Sequence, residues 1–215
     1  MGLFSSLFRR KHVRLTPDLA AGIRRSFEEA ASDEEHFPSS IDPRILHVRA
    51  VLEGIAPLAP GARVLDLGCG KGRFAVHVKH AYPEANVVAL DLAEAMLRRA
   101  PESLLRVSAS MLELPFPPAV FDAAYATESL EHAVDIESAV HELCRVLKPG
   151  ARLVIIDKNA RQWGRLQTPP WERWFREEEL VALLRRHCRS VSCRPISYWE
   201  DVPPDGLFLC WSAVK

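Results

Sequence analysis

Three glycines, each separated from the next by one residue, follow a short apolar run in this sequence. The run VLDL at residues 64–67 leads directly into Gly68, Gly70 and Gly72, after which a helical pattern begins. Glycines at a strand-to-helix turn let the backbone turn tightly and bring its amide groups close to a ligand. The loop therefore indicates a nucleotide-like ligand, although a tight turn without a ligand would show the same pattern.

Two acidic residues narrow the choice of ligand. Asp91 ends the next apolar run, where a carboxylate can accept hydrogen bonds from the hydroxyls of a ribose; the same position also suits a helix cap. Up to this point the sequence is equally compatible with a nicotinamide dinucleotide as the ligand. The loop reads G-C-G-K-G, however, and Asp66 precedes it within the strand, where its negative charge would repel a pyrophosphate. The ligand is therefore expected to carry positive charge.

Four segments, in this order, resemble the motifs of class I S-adenosylmethionine-dependent methyltransferases, in particular the UbiE-like, type 11 group. They are VLDLGCGKG (64–72), VVALDLAEAML (87–97), LELPFPPAVFDAAYATESLEHAVD (112–135) and ELCRVLKPGARLVI (142–155). The resemblance implies an enzyme that uses S-adenosylmethionine as cofactor, leaves S-adenosylhomocysteine as product and transfers a methyl group to an acceptor.

The same resemblance implies which residues bind the cofactor. Asp91 would bind the ribose hydroxyls and Leu92 would flank the adenine. Ser110 stands where the family often has an acid that bonds the adenine amine, so a weaker or backbone-mediated contact is expected there. The full expected set is Asp66, Gly68, Cys69, Gly70, Gly72, Asp91, Leu92, Ser110, Met111 and Thr127.

The residues after the fourth strand are expected to carry the chemistry. Methyl transfer from a sulfonium needs an aligned nucleophile, and an oxygen nucleophile also benefits from a base. His132, a residue type that titrates near neutrality, and Glu131 are the expected catalytic residues. Alternatively, His132 has a purely structural role, and Glu131 is an acidic residue at the start of a helix, where it interacts favourably with the helix dipole.

Aromatic and basic residues are concentrated after the fifth strand, at residues 159–175. Such a segment can stack on a planar acceptor, or it can simply pack the next helix onto the core. The resemblance favours an acceptor pocket, with Glu128, Lys158, Arg161, Trp163 and Trp171 as substrate-binding residues. The expected acceptor is a small molecule methylated at oxygen, such as a sugar, phenol, quinone or polyketide-like metabolite. Nitrogen or carbon acceptors, and a regulatory protein that binds the cofactor without turnover, are the alternatives.

Composition argues against several other classes of protein. The 28 basic and 28 acidic residues balance and form no basic stripe, so a nucleic acid partner is not expected. The five cysteines lack metal-binding spacing, so no metal is expected. With neither a long apolar run nor a secretory cleavage site, the chain is expected to be cytoplasmic. The expected oligomeric state is a monomer or a homodimer. Residues 1–12 combine apolar and basic residues and suit either weak membrane contact or an ordinary terminal segment.

The elements that position these residues follow from the alternation of apolar runs with helical patterns after residue 62. This alternation predicts an α/β fold with a doubly wound, Rossmann-like sheet of seven mostly parallel strands, helices on both faces and a C-terminal antiparallel hairpin. Two helices, starting at Thr16–Pro17 and at Asp42–Pro43, precede the first strand. The expected organisation is a basic and apolar segment (1–15), helices that cover the core (16–61) and a cofactor-binding domain (62–215).

Overall fold

The computed structural model describes residues 14–215, so the expectations for residues 1–12 lie outside the described residues. The strands are β1 (Arg63–Leu67), β2 (Asn86–Asp91), β3 (Leu105–Ser108), β4 (Phe121–Thr127), β5 (Leu147–Lys158), β6 (Ser190–Ile196) and β7 (Phe208–Val214). The α-helices are α1 (Pro17–Ala30), α2 (Leu46–Ile55), α3 (Ala75–Ala81), α4 (Glu94–Arg99), α5 (Ile136–Val146) and α6 (Glu177–Arg185). Short 3-10 helices follow β4 (Leu130–His132) and β5 (Ala160–Gln162).

The seven strands form one sheet in the order β3-β2-β1-β4-β5-β7-β6. Strands β1 to β5 pair in parallel, whereas β7 runs antiparallel to both of its neighbours, β5 and β6. This arrangement confirms the predicted fold class, including the C-terminal hairpin. The chain reverses its direction across the sheet between β1 and β4, and ligands of open α/β sheets bind at the carboxyl ends of the strands beside such a reversal.

Helices cover both faces of the sheet because the strands are apolar on both sides. On one face, Leu143 of α5 and Leu184 of α6 share a buried core with Trp211 of β7. On the other face, Val48 of α2 shares a core with Val154 of β5. Near-continuous apolar strands are typical of a sheet buried on both sides. Within residues 14–215, none of the helices is both long and apolar enough to cross a bilayer.

The two helices before β1 differ in how well the sequence predicts their starts. The Thr16 hydroxyl accepts a hydrogen bond from the Leu19 amide at 3.2 Å, and Pro17 occupies the first helical position, as predicted. The predicted start at Asp42–Pro43 is wrong, because the Asp42 carboxylate accepts from the Arg44 amide (2.9 Å) and closes a turn. Helix α2 begins after that turn, at Leu46.

Candidate functional site

A cavity of about 920 Å³ lies at the carboxyl ends of β1, β2 and β4, beside the reversal of the strand order. Its floor is the glycine loop after β1 together with the residues that follow β4. Helix α1 and residues 36–38 form its roof, and residues 166–169 close one side. A space of this size falls within the range of small-molecule sites, about 300–1,000 Å³.

Two glycines of the loop have different roles at the floor of the cavity. Gly68 has a φ of +73°, and a Cβ added there would lie 2.5 Å from the Cβ of Ser129, so the two segments meet closely. Gly70 has a φ of +54° and would meet nothing within 4 Å. Gly70 therefore leaves an open cradle at the cavity surface, whereas Gly68 lets the loop pack against the residues after β4.

Gly72, the third glycine of the motif, does not line the cavity. A Cβ added there would lie 2.9 Å from the side chain of Leu104. Its position in the structure is therefore explained by packing of the loop against the segment before β3, and the predicted contact of Gly72 with the cofactor has no support from the cavity lining.

Asp91 joins the two loops at the cofactor end of the cavity. Its carboxylate accepts hydrogen bonds from the amides of Gly70 (2.8 Å) and Ala93 (2.9 Å), and burial raises its pKa. Each carboxylate oxygen has a second lone pair, so these bonds leave room for hydroxyl donors from the cavity. The two roles predicted for Asp91, structural and ligand-binding, are compatible with each other.

Asp66 lies beneath the glycine loop and does not line the cavity. Its carboxylate oxygens are buried and have no hydrogen bond of normal geometry among residues 14–215. Burial raises the pKa of this carboxyl to about 7, although the nearby Tyr125 hydroxyl partly counteracts the shift. A buried carboxyl with no basic side chain bonded to it in the described chain, next to a loop that faces a cavity, suits a ligand that carries a cationic group.

Leu92, Ser110 and Met111 line the cavity on the side expected to hold the adenine, and Cys69 and Thr127 line it as well. The Ser110 hydroxyl oxygen accepts a hydrogen bond from the Leu112 amide at 3.2 Å, which closes a local turn. The serine that departs from the family pattern therefore helps to shape its own loop, and its contact with adenine stays a prediction.

A buried charged cluster supports the other end of the cavity. The Lys158 ammonium donates hydrogen bonds to the carboxylates of Glu131 and Glu172, the latter at 2.9 Å. Asp157 accepts from the amides of Glu131 (3.0 Å) and Lys158 (2.9 Å). Burial and the nearby negative charge of Asp157 raise the pKa of Glu131, and burial raises the pKa of Asp157. Lys158 is thus held by two carboxylates, which explains its position without a substrate.

The same cluster has the composition of a metal site. Ligand atoms of Glu131, His132 and Glu172 lie within 4.8 Å of one another. Lys158, however, bonds both of the carboxylates. The lysine therefore supplies the positive charge that a metal ion would bring, and the cluster is explained without one.

His132 lines the cavity, with the ring of Phe27 from α1 lying 4.8 Å away, centroid to centroid. Burial, reinforced by the charge of Lys158, lowers the pKa of His132 to about 3. The expectation that this histidine titrates near neutrality is therefore wrong, since an imidazolium would be desolvated beside an ammonium. A neutral imidazole can still donate or accept one hydrogen bond, and its Nδ1 has no partner among residues 14–215.

Glu128 immediately follows β4 and lines the cavity with a left-handed backbone, φ +52°. Its carboxylate accepts a hydrogen bond from the Tyr198 hydroxyl (2.5 Å) and lies 3.5 Å from both His47 and Arg73. Burial alone would raise its pKa, but these three partners outweigh it and lower the pKa to about 2. Glu128 is thus a fixed negative charge at the cavity surface.

Three residues predicted to bind the acceptor do not line the cavity. Arg161 is exposed and lies 3.7 Å from Glu178, while Trp163 packs against Trp174 at 4.9 Å between ring centroids. Trp171 is half-buried outside the lining. The segment does border the cavity, but through residues 166–169 and Glu172. Glu172 bonds both Lys158 and the Trp174 indole (2.7 Å), which directs this part of the segment into the protein.

Sequence reasoning missed the contacts that attach the roof to the floor. Lys71 of the glycine loop donates to the Glu34 carboxylate (2.6 Å) and to the Asp33 carbonyl (3.1 Å). Glu28 of α1 accepts from the amides of Glu94 and Ala95 at the start of α4, at 2.8 Å each. Lys71 and Glu34 are 37 residues apart, so no periodicity or local motif could relate them.

Comparison with known proteins supports the interpretation of this chain as a methyltransferase. Residues 65–155 match the family model of the methyltransferase domain. Over 115 residues the chain is 35% identical to 27-O-demethylrifamycin SV methyltransferase from Amycolatopsis mediterranei, covering 49% of this chain and 42% of that protein. Over 102 residues it is 41% identical to demethylmenaquinone methyltransferase from Thermus thermophilus, covering 44% of this chain and 46% of that protein. The chain thus spans about half the length of these curated relatives.

The solved structure of the [4+2]-cyclase SpnF is similar over most of the chain, with a TM-score of 0.76, 19% identity and coverage of 96% of this chain and 99% of that one. At this level of identity the likeness shows the fold alone. The sequence match is more specific, since residues 65–155 include the glycine loop, Asp91 and the segment after β4. Over residues 65–155, this chain has the domain of the class I S-adenosylmethionine-dependent methyltransferases.

Proposed function

We propose that this protein binds S-adenosylmethionine in the cavity and transfers its methyl group to an oxygen atom of a small-molecule acceptor. The observation that carries the proposal is the cavity itself. It joins the glycine loop and Asp91 at one end to Glu131 and His132 at the other. A cofactor and an acceptor can therefore share one space between the floor and α1.

The cofactor end fits the chemistry of S-adenosylmethionine. Gly70 leaves the backbone open to a ligand, and Asp91 has lone pairs available for ribose hydroxyls. Asp66 is a buried carboxyl whose oxygens make no hydrogen bond of normal geometry within residues 14–215, which suits the positive charge of the methionine part. When bound, the cofactor supplies an activated methyl group.

At the acceptor end, the chain contributes mainly alignment. His132 is neutral, so its imidazole can orient an acceptor hydroxyl through one hydrogen bond. With a pKa of about 3 it would not retain the proton of that hydroxyl, so the proton passes to water as the methyl group is transferred and S-adenosylhomocysteine forms. Holding the reacting atoms in line can contribute roughly 7–11 kcal/mol to a displacement of this kind. The proposal of an oxygen acceptor is supported by the relative named 27-O-demethylrifamycin SV methyltransferase.

Calorimetric titration with S-adenosylmethionine, S-adenosylhomocysteine and NAD tests the cofactor part of the proposal. We expect micromolar binding of the two sulfur compounds and none of NAD. The Asp91→Ala variant should lose this binding, whereas Asp201→Ala, an exposed acid outside the cavity, should retain it. Because Asp91 also bonds two backbone amides, a melting curve must accompany the variant. A preference for NAD, or unchanged binding by Asp91→Ala, would contradict the proposal.

Transfer of a labelled methyl group to a panel of small hydroxylated molecules tests the acceptor part. Each member is paired with an analogue whose hydroxyl is already methylated. Label should enter the free hydroxyl compound and not its capped partner. Transfer to the capped analogue at the same rate would point to a carbon or nitrogen acceptor.

A further inference from the structure

Four lysine and arginine side chains in the described part of the chain line the cavity, and each already lies close to an acidic partner. They are Arg24, Lys71, Arg73 and Lys158. A site for a phosphorylated, sulfated or carboxylated molecule would be expected to keep a cation available to that anion. The partners of these four side chains therefore bear on which acceptors the cavity admits.

The two lysines are the most firmly held of the four. The Lys158 ammonium bonds the carboxylates of Glu131 and Glu172. The side chain of Lys71 is 1% exposed, and its ammonium bonds the Glu34 carboxylate (2.6 Å). An anionic ligand would have to displace a carboxylate from either lysine, so the exchange would add little net attraction.

The two arginines are also paired. Arg24 lies at the mouth of the cavity, 3.3 Å from Glu94 and 3.7 Å from Glu28. Arg73 follows the glycine loop and lies 3.5 Å from Glu128. Arg73 therefore already has an acidic partner, which itself lines the cavity.

The histidines that line the cavity do not provide an unpaired positive charge, and the acids add negative charge. His36 lies 2.9 Å from Asp33, and His132 is neutral. The acids that line the cavity are Asp91, Glu128, Glu131 and Glu172. The roof and the side closed by residues 166–169 also contribute apolar residues, namely Ile23, Phe27, Phe37, Leu166 and Pro169.

We infer that the acceptor of this enzyme is a neutral molecule with a largely apolar body, and that the cavity discriminates against acceptors bearing phosphate, sulfate, sulfonate or carboxylate groups. This inference rests on the proposed function and specifies its substrate class. An anionic group buried here would lose its hydration without gaining an unpaired cation from residues 14–215, and burial of an unpaired charge is unfavourable. A neutral aromatic or polyketide-like body would only bury apolar surface against α1.

A matched pair of fluorescent probes tests the inference on the full chain saturated with S-adenosylhomocysteine. N-phenyl-1-naphthylamine is neutral, and 8-anilinonaphthalene-1-sulfonate carries a sulfonate on nearly the same body. We expect the neutral probe to bind one site, and the sulfonate to bind that site at least about tenfold more weakly, equivalent to about 1.4 kcal/mol. The Ala20→Trp variant, which fills the cavity from the half-buried side of α1, should abolish the binding of the neutral probe.

A second variant tests the role of ion pairing directly. Glu94→Gln removes the nearer of the two acidic partners of Arg24 on the protein surface, where folding should be unaffected, and leaves Glu28 at 3.7 Å as its weaker partner. It should raise the affinity for the sulfonate and leave that for the neutral probe unchanged. If the fluorescence of the sulfonate probe is the same with Ala20→Trp as with the unmodified chain, the sulfonate binds outside the cavity. That result agrees with the inference.

Three outcomes separate this inference from the proposed function. Sulfonate binding as tight as that of the neutral probe, and sensitive to Ala20→Trp, would overturn the inference. Absence of neutral probe binding would also overturn it. Failure of S-adenosylhomocysteine to bind would instead count against the proposed function. The two probes would still compare a neutral and a charged ligand in the empty cavity, so the inference about charge can be tested separately.

Discussion

The Lys71 ammonium lies 2.6 Å from the Glu34 carboxylate, so the glycine loop at the floor of the cavity is bonded directly to the segment between α1 and α2. Glu34 lies beside His36, Phe37 and Pro38, which form part of the roof. The hydrogen bond from Lys71 is the main reason that the pKa of Glu34 falls to about 2. Glu34 therefore stays ionised at all pH values at which the protein would normally be studied.

Removing this ion pair should loosen the roof and shorten the residence of the cofactor. We expect Glu34→Ala to release S-adenosylhomocysteine several-fold faster in stopped-flow displacement, and to reduce the amide hydrogen-exchange protection of residues 33–39. Glu35→Ala removes the neighbouring exposed acid, which does not line the cavity, and serves as the control. Equal release rates for the two variants would show that the pair does not restrain the roof.

Two glycine variants should separate folding from binding. Gly68→Ala places a Cβ 2.5 Å from Ser129 at a φ of +73°, so it should lower the free energy of unfolding by at least about 2 kcal/mol. Gly70→Ala meets no atom within 4 Å, so its cost should be the left-handed backbone alone, about 1 kcal/mol. Its methyl group enters the cavity, however, and should weaken binding of S-adenosylhomocysteine.

Urea unfolding and calorimetry of both glycine variants provide the measurement. The expected pattern is a larger loss of stability in Gly68→Ala, and a loss of affinity in Gly70→Ala that exceeds its modest loss of stability. If Gly70→Ala bound the cofactor like the unmodified chain, the open cradle would not be the cofactor surface.

His132 should remain neutral across the physiological range. Its pKa is about 3 in the folded protein, against about 6.5 when unperturbed. The unfolded chain binds more protons between these values, so the contribution of His132 to stability is complete above pH 6.5 and decreases as the pH falls toward 3, by up to about 5 kcal/mol. NMR titration of the imidazole carbons, assigned with the His132→Asn variant, should show no protonation of His132 above pH 5.

Free imidazole in the same tube provides the reference for that titration. A His132 midpoint between pH 6 and 7 would contradict the proposed alignment role and restore the histidine as a base. The functional counterpart is that His132→Asn, which keeps one hydrogen-bonding group, should lose less activity than His132→Phe.

Asp66 should link stability and pH in the opposite direction. Its pKa is about 7 in the folded protein, above the usual 3.8, so the folded state binds more protons between these values and loses stability as the pH rises through that window. The full effect is roughly 4 kcal/mol. Asp66→Asn removes it, and the variant should therefore be more stable relative to the unmodified chain at pH 8 than at pH 5.

Urea unfolding of both proteins at the two pH values measures this difference. The same variant should bind S-adenosylhomocysteine more weakly, since the carboxyl that suits a cationic group is lost. A stability difference that stays constant with pH would show that Asp66 is ionised at pH 5 in the folded protein.

The sequence by itself determined the methyltransferase domain and the fold class, and it identified several residues that line one end of the cavity. Gly68, Gly70 and Asp91 are recognisable because they lie at the ends of consecutive strands, and parallel strands bring their carboxyl ends to one edge of the sheet. Their proximity therefore follows from local patterns. The acceptor end was predicted less well, as Trp163 and Arg161 show, because a surface segment with no fixed pattern can direct its side chains either way.

Only the tertiary structure decided the protonation of the site and the closure of its roof. Nothing in the residues next to His132 in the sequence indicates a low pKa. The pKa is low because the imidazole is buried and because β5 brings Lys158 beside it. Lys71 and Glu34 likewise meet across 37 residues. Burial and long-range ion pairs depend on which elements come together in space, and neither leaves a local periodicity in the chain from which it could be predicted.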